Sequence, residues 1–305
     1  MWKGYLHQTW VSFYFSVLWP MWKWILRKWT GKCELLRITS ENPKGAKRTK
    51  AIERSLKHSN IAILKQLSKD EIIDVIPASE EVMKIKDVIA EIHPQFAYCF
   101  QVCLCQICGY KRLFAEVEEM RKTQYSSENP DHEEKLMQLW GFLMPDIKLE
   151  TRISKQWTDI GFQGDDPKTD FRGMGMLGLN QLLYISSKYT ALSRQILSKS
   201  HHPTLGFSYA IVGINLTSVL YELLKKQTLR THFYNIKDDK PSLHDFHELY
   251  CYMFKEFVTF WFNEKPKDIM EFGRVRDKFR KKIKQKLKED LTTILKFDAD
   301  EELAV

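Results

Sequence analysis

The stretch WTDIGFQGDDPKTDFRGMGMLGL, residues 157–179, holds five of the chain's 13 glycines: Gly161, Gly164, Gly173, Gly175 and Gly178. Glycine at that density costs backbone entropy, so it is expected where φ is positive or another surface comes close. Between the glycines stand Asp165, Asp166, Pro167, Thr169 and Asp170, which set turns by ring constraint or by side-chain hydrogen bonds. One arginine, Arg172, sits in this run between Phe171 and Gly173. It can be read as a guanidinium presented on a rigid loop or as an internal partner of Asp166 or Asp170, and the residues alone leave both open.

Several chemistries are excluded here. Gly173, Gly175 and Gly178 spell GxGxxG, but a dinucleotide site needs a hydrophobic strand before the first glycine, and TDFR precedes this one. The kinase form lacks its lysine strand and catalytic loop. Asp165, Asp166 and Asp170 lack the alternating ligands and closing Glu of a calcium loop. No Ser-His-Asp or Cys-His arrangement is legible, so no active site of the chain's own is expected, and no cofactor.

Outside the loop, the 305 residues carry 47 Lys and Arg against 39 Asp and Glu, a basic excess that favours anionic partners without choosing among them. Four of six cysteines, Cys99, Cys103, Cys105 and Cys108, lie in QFAYCFQVCLCQICGY. Cys105 and Cys108 form a CxxC, but no second pair completes a zinc pattern. Thiols packed as small hydrophobes in a buried helix are expected, in a reducing compartment.

Residues 1–30 differ from the rest. From Gly4 to Trp22 there is no Lys, Arg, Asp or Glu, while Trp10, Phe13, Tyr14, Phe15, Leu18, Trp19 and Trp22 crowd the run. The length could span a bilayer, but Gln8, Thr9, Ser12, Ser16 and Pro20 and the aromatic load favour an interfacial helix. Lys23, Arg27, Lys28 and Lys32 add a basic flank suited to anionic headgroups. The alternative is a helix docked on the protein's own core.

The remainder reads as helices. After a polar connector, 40–50, comes an amphipathic helix over Arg48–His58, continuing over Ile61–Leu67. Pro77 is expected to break the pattern and Ser79 to cap a helix striped by Val82, Ile85, Ile89 and Ile92, which ends at His93-Pro94. The cysteine helix is expected to close near Gly109, with another through Leu113, Val117 and Met120. A polar break, 122–134, precedes a helix from Asn129-Pro130-Asp131 with Leu136, Leu139, Trp140 and Leu143 inward. Further helices are expected at Glu150–Trp157, after Gly178, at Ser208–Leu224 and at Leu243–Phe262. Asn215-Leu216-Thr217 matches a glycosylation sequon inside one of them, and His201, His202, His244 and His247 lack a completing metal set. The run 274–288 holds nine Lys or Arg against one Asp, with Val275, Phe279, Ile283 and Leu287 four apart, a basic amphipathic helix. No helix-turn-helix or finger signature accompanies it, so nucleic acid is not an expected partner. No alternating apolar run stands out, and the fold class is all-α.

A lone presented arginine makes chemical sense when the reaction belongs to a partner. In GTP hydrolysis, charge gathers on the phosphate oxygens, and a guanidinium supplied in trans stabilises it. The segment 157–179, with IGFQG, DPKTDFRG and GMLGL, closely resembles the signature of the ELMO domain, in the arginine form of ELMO-domain-containing GTPase-activating proteins. RKWTGKCELLRI, SYAIVGIN, THFYNI and DIMEFGRVRDKFRK extend the resemblance over most of the chain. The resemblance implies a multi-helix ELMO domain with a helical region before it, and Arf- or Arl-type GTPases in the GTP-bound state as partners. It places Arg172 at the family's catalytic arginine. Trp157, Gly161, Phe162, Gln163, Gly164, Asp166, Pro167, Thr169, Asp170, Phe171, Gly173 and Gly175 then shape the loop. It also implies residence in the cytosol and on the cytoplasmic side of endoplasmic reticulum, lipid droplets or mitochondria. The expected organisation is a membrane-associating helix over 1–30, a helical region over 31–125, the ELMO domain over 126–290 and a tail over 291–305. A non-catalytic ELMO-domain scaffold for GTPases or exchange factors is the alternative.

Overall fold

Every regular element is helical in the computed structural model, which describes residues 14, 18–42 and 44–298, and among them there is no β-strand. In chain order the α-helices are α1 Trp19–Thr30, α2 Glu34–Glu41, α3 Ala46–Lys57, α4 Ala62–Leu67, α5 Val75–Lys86, α6 Pro94–Lys122 and α7 Pro130–Leu143. They continue with α8 Gly175–Lys188, α9 Thr190–Ser200, α10 Tyr209–Lys225, α11 Arg230–Ile236, α12 Leu243–Glu264 and α13 Phe272–Glu289. Two 3-10 helices, Lys155–Ile160 and Pro167–Arg172, lie between α7 and α8. None of the helices among the described residues is long and apolar enough to cross a membrane.

The chain divides into two compact units, Met1–Arg112 with Phe233–Pro241, and Leu113–His232 with Ser242–Val305. The polar run 122–134, where the sequence places a boundary, lies in the second unit.

In the first unit, Leu35, Leu36, Ile52, Leu56, Val82, Phe96, Phe100, Cys103 and Leu104 share one apolar cluster. Burial pushes the Cys103 thiol up to about 11, which keeps it protonated and inert. Among the described residues no group of three His, Cys, Asp or Glu is placed to hold a metal. Buried Gln106 is answered on both sides: Thr49 donates to Gln106 Oε1 (2.6 Å), and Gln106 Nε2 donates to the carbonyls of Tyr234 and Lys237.

Several expectations for this unit are corrected. Pro77 does not break a helix. It sits in the first turn of α5, where backbone N–H groups have no intrahelical acceptor and a missing one costs nothing. Ser79 is therefore not a cap but a buried interior residue, donating to the Ile76 carbonyl (2.8 Å) and accepting from Gln101 Nε2 (2.8 Å). The left-handed residue Asp87 (φ 52°) ends α5, so Val88 turns inward while Ile89 and Ile92 are exposed. The helix over Ile61–Leu67 is separate from α3. The cysteine helix does not close near Gly109. α6 runs unbroken for 29 residues, and Gly109 serves close approach, since a Cβ there would stand 2.5 Å from Lys240 Cβ and 2.9 Å from Pro241 Cδ.

Of the stretch 1–30, α1 is described, closed by Gly31 (φ 67°), and it buries none of its residues. Trp10, Phe13, Phe15 and the polar residues Gln8, Thr9, Ser12 and Ser16 lie outside the described residues, as does the end of the tail, 299–305.

In the second unit, α8 is the central helix, packed against α7, α9, α10 and α12. Asn129 caps α7 by accepting from Asp131 N–H (3.0 Å), and Leu136, Leu139, Trp140 and Leu143 are buried, as their spacing predicts. α13 buries Val275, Phe279, Ile283 and Leu287, with Phe279 against Phe257 and Phe260 of α12. Its lysines and arginines take the opposite face. Residues 150–154 are not helical, and only the 3-10 turn at Lys155–Ile160 forms. α2, α9 and α11 carry no expectation from the sequence.

Two predictions follow from these packings. Helix propensity alone says that Gly109→Ala gains about 0.8–1.0 kcal/mol, but the 2.5 Å approach to Lys240 reverses the sign, so denaturant unfolding is expected to show a net loss. Burial holds the His247 imidazole down at about 4, with the neighbouring His244 adding to the effect. The unfolded chain binds its proton near the ordinary histidine value, so stability falls as pH drops from about 6.5 towards 4. His247→Gln is expected to flatten that part of a Tm-against-pH curve.

Candidate functional site

Between α7 and α8 the chain makes two short 3-10 turns whose ends are fixed by backbone contact. The first, Lys155–Ile160, is capped by Ser154 and stopped by Gly161 at φ 83°. A Cβ on Gly161 would stand 2.2 Å from the Tyr209 nitrogen, and the Gly161 carbonyl accepts from Ile211 N–H at 3.2 Å. At the far end Gly175, φ 52°, lies so near the Thr123 and Arg121 carbonyls that a Cβ would meet them at 2.4 and 2.5 Å. Met176 N–H donates to the Thr123 carbonyl there (2.8 Å). These two glycines are required; Gly164 and Gly173 face open space and Gly178 makes ordinary contacts.

A row of aromatic rings lies under the loop. Trp140 meets Trp157 edge-on (5.4 Å), Trp157 meets Phe162 (5.8 Å), Phe162 meets Phe171 (5.6 Å), and Phe171 meets Tyr125 (5.4 Å). Trp157 and Phe171 are fully buried, and the Trp157 indole N–H donates to the Arg152 carbonyl (2.9 Å). Edge-on pairs add about 0.5–1.5 kcal/mol each beyond the area they bury, so the floor is stiff.

Ion pairs brace the sides. Arg152 donates through Nε to Glu133 (2.6 Å) and through Nη2 to Tyr125 Oη (3.2 Å), and its Nη1 lies 3.0 Å from Asp166 Oδ1. Tyr125 also donates to Glu133. Burial, with the Glu133 carboxylate, pushes the Tyr125 phenol well above its ordinary value, so the proton stays in the bridge. Asp166 caps the second 3-10 turn by accepting from Lys168 N–H (3.0 Å), with Pro167 following in the first helical position. Asp170 accepts from Gln163 N–H across the loop (3.0 Å). Burial pushes its carboxyl up, while the Gln163 N–H and the charge of Arg172 pull it down.

Arg172 ends the second turn, exposed, beside exposed Gly173. Its Nε donates to the Thr169 carbonyl (2.8 Å), and neither Nη group has a hydrogen-bond or ion-pair partner among the described residues. The internal pairing that the sequence leaves open is not made: Asp166 belongs to Arg152, and Asp170 is bonded to Gln163. The candidate residues thus divide by role. Trp157, Gly161, Phe162, Pro167, Phe171 and Gly175 are buried scaffold, and Asp166 and Asp170 are half-buried braces. Gln163, Thr169, Arg172 and Gly173 form the exposed rim, with Gly164 half-buried beside them.

Four contributors escape a reading of the sequence: Tyr125, Glu133, Trp140 and Arg152. They are spread over 28 positions on three different segments, and Arg152 falls in a stretch that reads as helix. No local spacing reports them. Of the four histidines without a metal set, His201 bonds the Asp159 carbonyl (2.8 Å) and His202 Nδ1 accepts from Leu205 N–H (3.1 Å), while His247 is buried in α12 and not on the helix surface.

Comparison with known proteins identifies the family. The ELMO/CED-12 family model matches residues 115–276. ELMO domain-containing protein 2 of Homo sapiens is 50% identical over 274 residues, covering 90% of this chain and 93% of that protein. ELMO domain-containing protein 1 of Bos taurus is 46% identical over 317 residues, covering 98% and 97%. ELMO domain-containing protein B of Dictyostelium discoideum is 32% identical over 290 residues, covering 92% and 98%. No solved structure matches.

The glycine geometry makes a paired prediction. Gly161→Ala combines positive φ with a 2.2 Å clash and is expected to cost more than about 2 kcal/mol. Gly173→Ala, facing open space, is expected to change stability by less than about 0.5 kcal/mol. Thermal and denaturant unfolding of the two variants side by side checks the contrast.

Proposed function

We propose, from the premise that this chain belongs to the ELMO/CED-12 family, that it is a GTPase-activating protein for Arf-like and Arf small GTPases. Arg172 enters the partner's nucleotide site as an arginine finger in trans. The observation that carries this reading is the state of the Arg172 guanidinium: exposed, steadied through Nε alone, with both Nη groups available. Two free Nη groups on a planar, permanently charged fork can reach two phosphate oxygens at once. Gly173 beside it presents no side chain, which permits close approach to a pocket. The protein supplies position and charge, and the bond-breaking machinery, including the attacking water and the magnesium ion, belongs to the GTPase.

The rigid floor and braces support the same reading. A charge delivered to a transition state acts best when its position is set beforehand, so that no reorganisation is needed as the reaction proceeds. The loop's two glycine anchors, its aromatic row and the Arg152 bridge provide that fixity.

The same reading places the protein in the cytosol and on the cytoplasmic side of an intracellular membrane, that of endoplasmic reticulum, lipid droplet or mitochondrion. Its contact is residues 1–30. What supports this is α1, where Trp22, Trp24 and Trp29 are exposed among Lys23, Arg27 and Lys28.

The deciding experiment is single-turnover GTP hydrolysis by a panel of purified Arf-family GTPases. Arg172→Ala is expected to lower the stimulated rate by about 10³-fold or more, and Arg172→Lys, which keeps charge but loses the fork, is expected not to restore it. Partner binding should survive both changes. Undiminished stimulation by either variant rejects the finger and leaves a non-catalytic scaffold. Removal of residues 1–30 is expected to shift the protein from the membrane to the soluble fraction.

A further inference from the structure

Helix α1 buries none of its residues, and Trp22, Trp24 and Trp29 are 53%, 61% and 89% exposed. Exposed indoles are poorly placed in water and well placed at the headgroup level of a bilayer. Beside this helix opens a cavity of about 240 Å3. Lys23 and Arg27, one turn apart on α1, line it together with Lys86 at the end of α5, Trp24 and Ser59. Among its lining residues Glu34 is the single carboxylate.

The three cations differ in how well they are satisfied. Lys23 Nζ pairs with Glu34 at 2.6 Å. Arg27 reaches Asp87 at 3.0 Å, but both side chains are exposed, so the pair is weak and easily exchanged. Lys86 is half-buried, and among the described residues its ammonium has no hydrogen-bond or ion-pair partner. Burial, then Lys23 and Arg27, push its pKa below the usual lysine value, against Cys33 and Glu34. The imidazole of His58 is likewise held low, by burial and then by Lys57, Lys23, Arg54 and Lys65. The potential around the cavity is positive.

A half-buried cation without an anion is costly. A phosphomonoester carries about −1.5 to −2 charge at neutral pH and three acceptor oxygens, which complements three cations set against one carboxylate. The space admits a phosphorylated headgroup and is too small for acyl chains, which need the bilayer. Trp24 lines the cavity and is exposed on the same helix as Trp22 and Trp29, so the anion's source is continuous with an apolar interface.

We propose that this cavity binds the phosphomonoester of a membrane lipid headgroup, with Lys86 and Arg27 as phosphate ligands and the three tryptophans entering the interface beside it. The proposal rests on the membrane part of the reading above and is independent of the GTPase part. It makes α1 a selective contact, reading headgroup chemistry as well as surface charge.

The test is vesicle co-sedimentation of the full chain. Phosphatidylcholine vesicles carry either phosphatidylinositol 4-phosphate or enough phosphatidylserine to match its surface charge. The wild type is expected to bind the phosphomonoester vesicles more tightly. Lys86→Gln is expected to lower that affinity at least about fivefold while leaving binding to phosphatidylserine vesicles unchanged, and Lys86→Arg to restore it. Equal loss on both vesicle types, or loss on neither, overturns the site. Saturation by inorganic phosphate in a thermal-shift assay, with no preference between vesicles, assigns the cavity to a free anion and overturns the lipid. A wild type that binds no vesicle at all removes the membrane reading itself, whereas vesicle binding indifferent to Lys86 removes only the cavity. Arg27→Gln, at an exposed position, gives the same readout should Lys86→Gln unfold.

Discussion

Two backbone approaches too tight for any side chain hold the candidate site in place: Gly161 against the Tyr209 nitrogen, and Gly175 against the carbonyls of Arg121 and Thr123. Because backbone meets backbone at both ends, the intervening residues cannot drift without breaking the start of α10 or the end of α6. Two anchored ends also shorten the loop that must be ordered, and each fixed residue otherwise costs about 1–2 kcal/mol in conformational entropy. The aromatic row and Arg152 then spread that constraint across the loop, the rings from below and the guanidinium by joining Glu133, Tyr125 and Asp166. Arg172 inherits its position from these neighbours while making one hydrogen bond of its own.

The two arginines of this region show how environment sorts identical side chains. Arg152 is half-buried, its donors facing two carboxylates and a phenol, a structural brace whose removal leaves half-buried carboxylates without their cation. Arg172 is exposed, and among the described residues two of its donor groups have no partner. The carboxylates that could have captured it are occupied elsewhere, Asp166 by Arg152 and the Lys168 N–H, Asp170 by the Gln163 N–H. In the first unit buried Gln106 is answered in a similar way, by Thr49 and two carbonyls of the returning segment.

Where a signal was periodic or local, the sequence was a good guide. The four-residue spacing of Val275, Phe279, Ile283 and Leu287 is the buried stripe of α13, and Asn129-Pro130-Asp131 opens α7 as its capping chemistry requires. The errors cluster where a residue's ordinary tendency was overruled by position. Pro77 is harmless in a first turn, and Gly109 is a close-approach residue inside a helix rather than its end. Ile89 and Ile92 lose their place in the stripe because Asp87 turns left-handed and swings Val88 inward. Of the site, the turn residues, the two anchoring glycines and Arg172 were visible. Arg152, Glu133, Tyr125 and Trp140 were not, since they come from separate segments.

The helical class, the family, the basic amphipathic α13 and the glycine-rich loop around one arginine are legible in the chain alone, because each is written in residue type and short-range spacing. Tertiary contacts decided which glycines are obligatory and which carboxylates are taken, and hence that the Arg172 Nη groups have no ion-pair partner among the described residues. They also decided that Lys86 shares one cavity with Lys23 and Arg27 of a helix far from it in the chain. Those outcomes depend on which distant segments come within hydrogen-bonding distance, and a pairing of charges across 19 or 60 residues leaves no periodic trace in the chain.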